Sequence, residues 1–137
     1  MTDEVPAGEL SRRRLHAVRH AMIELHKALL DAERDRYERA HGRVSAGKLL
    51  QLSLHGEQFA WLHPVSALIV QIDEIFDADK PLADKVIDDV LESARVLLTP
   101  READTGFGRA YEAALQREPG VVVSHGRVME ALRRTSD

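Results

Sequence analysis

Apolar residues recur early in the chain at alternating spacings of three and four: Leu15, Val18, Met22, Leu25, Leu29 and Ala32. That alternation keeps side chains on one stripe of a helix with about 3.6 residues per turn. The pattern predicts a first helix running to about Ala40. Gly42 follows as a left-handed stop, because glycine adopts positive φ without a Cβ clash. A helix of about thirty residues would be about 45 Å long, which suits an extended bundle. Ser45 predicts the cap of a shorter second helix that carries Leu49, Leu50, Leu52 and Leu54 and ends at Gly56.

Pro64 predicts the first turn of a third helix, where its missing N–H leaves no bond unmade. Phe59 to Leu62 form a turn of their own ahead of it. Val65, Leu68, Ile69, Ile72, Ile75 and Phe76 cover so wide an arc that this helix is expected to be central. Asp79 and Pro81 read as the cap and first residue of a fourth helix. Its inner face is Val86, Val90, Leu91, Ala94, Leu97 and Leu98, its outer face is Asp84, Asp88, Asp89 and Glu92, and Thr99-Pro100 stops it. A fifth helix from about Thr105 to Arg117 presents Phe107, Tyr111, Ala114 and Leu115. Pro119-Gly120 breaks it, and Val121 to Arg133 form the last helix. The Val-Val-Val start of that segment also suits a strand, but one isolated strand has nothing to pair with. The expected fold is all-α: an antiparallel helical bundle of about four main helices plus short additional helices. It forms a single domain over residues 1–137, with residues 1 to about 8 loosely ordered.

Composition narrows the function classes. The 137 residues are 44% hydrophobic and 31% charged, a balance expected of a soluble globular chain. The net charge of −4 gives no general attraction to nucleic acid or anionic lipid, so neither is an expected partner. Without cysteine there can be no disulfide, thiolate metal site or cysteine nucleophile. The start, Met1-Thr2-Asp3-Glu4-Val5-Pro6, is acidic and lacks an apolar run, so no signal peptide is read there. Charge interrupts each apolar segment, no membrane crossing is expected, and the expected setting is cytoplasmic.

The motifs of common chemistries are missing. Gly106-Phe107-Gly108 lacks the third glycine and preceding strand of a dinucleotide fingerprint. Asp77-Ala78-Asp79-Lys80-Pro81-Leu82 starts like a calcium loop but puts Pro81 at an acid position and Leu82 where glycine must turn the chain. His16, His20 and Glu24 have helical metal-ligand spacing, and Glu38-x-x-His41 is a single half of a di-iron pattern that needs two. Surface or capping histidines are the expected reading, with no metal and no cofactor. Arg12, Arg13, Arg14 and Arg19 form a basic run near the start of helix 1. A helix that starts as early as Pro6, or the acidic face of helix 4 nearby, would accommodate it.

A second stripe of helix 1 carries Ile23, His26, Leu30, Glu33 and Tyr37. His26 and Glu33 are ionisable groups among apolar ones and require partners if buried. They bond a neighbouring helix, or they enter a polar pocket walled by Tyr37, Trp61 and His63. These five residues are the candidate pocket or partner-contact set. No catalytic residue is assigned.

Two segments carry a resemblance. Leu25-His26-Lys27-Ala28-Leu29-Leu30-Asp31-Ala32-Glu33-Arg34 leads to Tyr37-Glu38-Arg39 and His41-Gly42-Arg43-Val44. Phe59-Ala60-Trp61-Leu62-His63-Pro64 is followed by Ser66 and Leu68-Ile69-Val70-Gln71-Ile72-Asp73-Glu74. Together they resemble a group of small, uncharacterised bacterial all-helical proteins, over about the middle half of the chain. The resemblance implies a helical fold and a bacterial cytoplasmic origin, and transfers no activity and no site residue. The expected function is therefore a non-enzymatic protein–protein interaction or homo-oligomeric module, a dimer or a binder of another protein. The alternative is a small-molecule, metal or cofactor carrier with a polar pocket inside the bundle.

Overall fold

The structure, a computed structural model, describes residues 7–78, 83–99 and 106–134. Among the described residues, six α-helices and one 3-10 segment follow in order: α1 (Ala7–His41), α2 (Ala46–His55), the 3-10 segment Glu57–Leu62, α3 (His63–Asp77), α4 (Asp84–Leu98), α5 (Gly106–Arg117) and α6 (Pro119–Arg134). There is no strand among the described residues, so the fold is all-α as the periodicity required.

Helix α1 is 35 residues long, about 52 Å at 1.5 Å per residue. Its seam residues Leu15, Val18, Met22, Leu25, Leu29 and Ala32 are all buried. The helix stops at Gly42, whose φ of 87° no branched residue would tolerate, and whose N–H bonds the Glu38 carbonyl at 2.8 Å. The following turn is clamped by the Glu38 carboxylate, which accepts from the Val44 N–H at 2.9 Å and from Arg34 Nε at 3.5 Å. The bond from Val44 leads the effects that hold this carboxyl below the usual range. Ser45 caps α2 by accepting from the Lys48 N–H at 3.1 Å. Gly56 closes α2 for a steric reason: a Cβ there would stand 2.7 Å from the Leu52 carbonyl oxygen.

The central position belongs to α1 rather than α3. Helix α1 touches the 3-10 segment, α3, α4 and α6, and its contact with α6 is the most extensive in the fold. Helix α3 buries Val65, Leu68 and Ile72, while Val70 on its far side is 53% exposed. The inner face of α4 differs from expectation at its first residue. Ile87, not Val86, is buried with Val90, Leu91, Ala94 and Leu98, because Val86 falls one helical step off that stripe. Helix α6 begins at Pro119, two residues before the expected Val121, since proline is well placed at a helix start.

Polar pairs fix the register around α1. Ser11 donates to Asp84 at 2.6 Å and Arg14 to Asp88 at 3.2 Å, so the start of α1 lies against the acidic start of α4. The basic run lies beyond the first helical turn, as an early start would have it. Arg19 pairs with Asp73 and His16 stacks on Phe76 of α3 with ring centroids 4.2 Å apart. The expected Asp3, Glu4, Pro6, Asp79, Lys80, Pro81, Leu82, Pro100 and Thr105 features lie outside the described residues. Ala7 and Gly8 are already helical. The run Glu57–Asp77 is continuous across the 3-10 segment and α3. An 18-residue window within its 21 residues has a mean hydropathy of 1.2, so the run is long and apolar enough to cross a membrane by length and composition, which charge was expected to prevent. Its Phe59, Leu62, Val65, Leu68 and Ile72 are buried in the core.

Candidate functional site

The Glu33–Tyr37 end of the second stripe of α1 is covered by the 3-10 segment, while Ile23 at the other end is 37% exposed. Phe59 and Leu62 point inward and are buried, and that seats Gln58 and Trp61, one turn apart, over α1. Between them lies Glu33, a buried acid with 1% of its surface exposed. Trp61 Nε1 donates to Glu33 Oε1 at 3.1 Å and Gln58 Nε2 to Oε2 at 2.9 Å. Gln58 Nε2 is also 3.3 Å from the Glu33 carbonyl oxygen, and Arg36 donates to Oε1 at 3.2 Å.

All three side-chain neighbours are donors, which suits a carboxylate, a group that can only accept. A buried carboxylate without partners would be strongly destabilising, whereas one with an arginine and two further N–H donors is compensated. Both oxygens are engaged, so Glu33 acts here as a tie between α1 and the 3-10 segment.

The other candidate residues arrange themselves around this tie. Tyr37 packs on Phe59 with centroids 6.1 Å apart and on His41 at 4.4 Å. His63 is exposed and donates from Nε2 to the Ser53 carbonyl at 3.2 Å, linking the start of α3 to α2. His26 is half-buried. Burial, and secondarily the charge of His63, hold its pKa below the ordinary value. Glu33 and Trp61 are thus bonded to each other, Tyr37 joins through Phe59, and His26 and His63 form a separate electrostatic pair.

No protein-family model, curated protein or solved structure matches the chain.

Two partners of Glu33 went unread in the sequence. Gln58 lies three residues before Trp61, and Arg36 three after Glu33, so helical spacing carried the signal for both. A second cluster was missed altogether. Tyr111 is buried, and its hydroxyl meets His125 Nδ1 at 2.6 Å. Burial raises the tyrosine pKa and lowers that of the histidine, so the neutral pair is favoured, with tyrosine donating and Nδ1 accepting. Phe107 bridges the two clusters, 5.7 Å from Trp61 and 5.4 Å from Tyr111 between ring centroids. Helix α5 is docked by this aromatic row.

The histidine spacing on α1 does not gather into one site. His16 lies on Phe76, while His20 faces a groove beside α6. No group of three histidine or carboxylate side chains is placed to hold a metal ion among the described residues. That groove, about 650 Å³, runs between α1 and α6, with Leu10, Ala17, Ala21 and Ala131 among its lining.

Proposed function

We propose that the chain is a non-enzymatic helical interaction module whose binding surfaces lie outside its core. One contrast carries this reading. The buried acid Glu33 has donors on both oxygens, whereas large apolar side chains stand in solvent on α2 and α6. Leu50 and Leu54 of α2 are 60% and 56% exposed and lie one helical turn apart. None of the described residues of α2 is buried, an arrangement better matched to an interface than to a core helix. The Glu33–Tyr37 end of the second stripe of α1 is taken by the 3-10 segment. A homodimer contact is therefore assigned to α2.

The architecture belongs to the same proposal: an antiparallel bundle of four main helices, α1, α3, α4 and α6, with α2 and α5 as additions. The order of pairing supports it. Arg19 and His16 meet Asp73 and Phe76 in reversed order, so α1 and α3 run oppositely. Ser11 and Arg14 meet Asp84 and Asp88 in the same order, so α1 and α4 run alike, as alternate helices of an up-and-down bundle do.

Native mass spectrometry of the purified chain tests the function. A defined oligomer of bare polypeptide that dissociates in the Leu50→Glu/Leu54→Glu variant is expected. A small molecule retained at fixed stoichiometry, and lost in His26→Ala or Glu33→Ala with the fold intact, would replace this reading with that of a carrier.

A further inference from the structure

We infer that the groove between α1 and α6 seats an acidic amphipathic helix from another protein, an inference that rests on the interaction-module reading above. The lining follows helical spacing on both walls. On α1 it runs from Leu10 through Arg13, Arg14 and Ala17 to Ala21, and on α6 from Val123 through Arg127 and Glu130 to Ala131. Two helical walls with this period present ridges between which a third helix can pack. From Leu10 to Ala21 is about 16 Å, room for about three turns. Ala17, Ala21, Gly126 and Ala131 are small, so a helix backbone can approach closely, and Leu10 and Val123 offer exposed apolar contacts, 49% and 55% exposed.

Charge decides the partner. Three arginines line the groove against one acid, Glu130, which is already paired with Arg133 at 3.1 Å. Arg127 makes no hydrogen bond or ion pair among the described residues. Arg13 has one exposed partner, Glu9, at 3.4 Å. Arg14 gives one bond to Asp88, while its Nε is buried without an acceptor, so its guanidinium is under-used. Aspartates and glutamates flanking an apolar stripe would pair with the exposed guanidinium groups of Arg13 and Arg127.

A second copy of the chain does not supply such a helix. The apolar stripes of α4 and α5 are buried in their own core, the exposed Val86 and Val96 of α4 are ten residues apart and share no stripe, and α3 exposes Val70 without a large apolar neighbour on its face. Helix α2 presents exposed leucines, but it carries Lys48 and no acid. The occupant is thus a different protein.

The test is selection of displayed helical peptides of about four turns on the full chain, with affinities then measured by fluorescence anisotropy. The selected peptides should show an apolar i, i+3 or i+4, i+7 stripe flanked by Asp and Glu. Their binding should weaken about tenfold or more in Arg127→Glu, and also as salt rises. Arg127 is exposed, so this variant keeps the fold, which circular dichroism verifies. Ala17→Gln, which narrows the floor, should weaken binding as well, and replacing the peptide acids by lysine should abolish it. Peptides that are basic, or that bind both variants unchanged, overturn the proposal. So does failure to select any peptide, or binding of phosphatidylserine-containing vesicles through the same arginines. If the groove fails while the Leu50→Glu/Leu54→Glu variant still breaks a defined oligomer, the interaction module stands without this partner. A chain that is monomeric throughout and selects no peptide removes both.

Discussion

The junction at Glu33 and the groove between α1 and α6 are both built on α1, and they use charge in opposite ways. At Glu33 one buried carboxylate meets three donors, and Phe59 and Leu62 fill the space beneath. At the groove three arginines surround small and apolar residues with one acid among them, itself paired elsewhere. Charge that is buried and matched fixes the fold, because removing one partner strands the others in a poorly solvated place. Charge that is exposed and unmatched contributes little to folding and remains available to a partner.

Substitutions at the two regions should therefore separate stability from binding. The largest effects belong to the junction. Glu33→Ala strands the Trp61 and Gln58 donors and should lower unfolding free energy by about 3–5 kcal/mol, read from the urea midpoint. Phe59→Ala opens a cavity beneath the 3-10 segment and should cost about the same, about 3–5 kcal/mol by the same measurement. A loss below about 1 kcal/mol at Glu33 would mean that the carboxylate is far more solvated than its geometry indicates.

A smaller effect should appear with pH. His26 and His125 both have folded-state pKa values held below their ordinary 6.5, mainly by burial. The unfolded chain then binds protons before the folded one does. Stability from these groups is full above pH 6.5 and is lost as pH falls from there through the folded values. Unfolding curves at stepped pH should show this decline, and His125→Gln should flatten it in part. At His125 protonation also removes the Nδ1 acceptor of the Tyr111 hydroxyl, so a Tyr111→Phe background should reduce the slope. An unchanged slope in both variants would place the pH dependence elsewhere.

The smallest effect on stability should come from the groove. Arg127→Glu should change unfolding free energy by no more than about 0.5 kcal/mol while weakening peptide binding about tenfold or more. A large stability loss there would show the arginine to be part of the fold.

The fold was legible where period and punctuation agreed. The α1 seam, the Gly42 stop, the Ser45 cap and the inward residues of α3 all follow from spacing and cap chemistry. In α4 the stripe from Val90 to Leu98 was legible and only its first residue was misread, Val86 for Ile87, because adjacent valine and isoleucine leave that position open until the neighbouring helices choose. The centrality of α1 was hidden for a related reason. An apolar arc shows how much of a helix can be buried, and not which helices surround it.

The candidate site was legible in half. An acid and a histidine in an apolar stripe announced that Glu33 needed partners, and Trp61 is one of them. Gln58 and Arg36 escaped because ordinary polar residues gain meaning only once the 3-10 segment folds over α1. The Tyr111–His125 bond joins two helices whose relative placement no local pattern encodes, and the groove is a property of two surfaces together.

The most direct test of the Glu33 junction as a structural tie is a double-mutant cycle of Glu33→Ala and Trp61→Phe, followed by urea unfolding. Trp61→Phe keeps a ring and removes the N–H donor. The account predicts coupling of about 1–3 kcal/mol, with the Trp61→Phe loss largely gone once Glu33 is absent. Strictly additive losses would contradict it, and would return Glu33 to the residues available for a ligand.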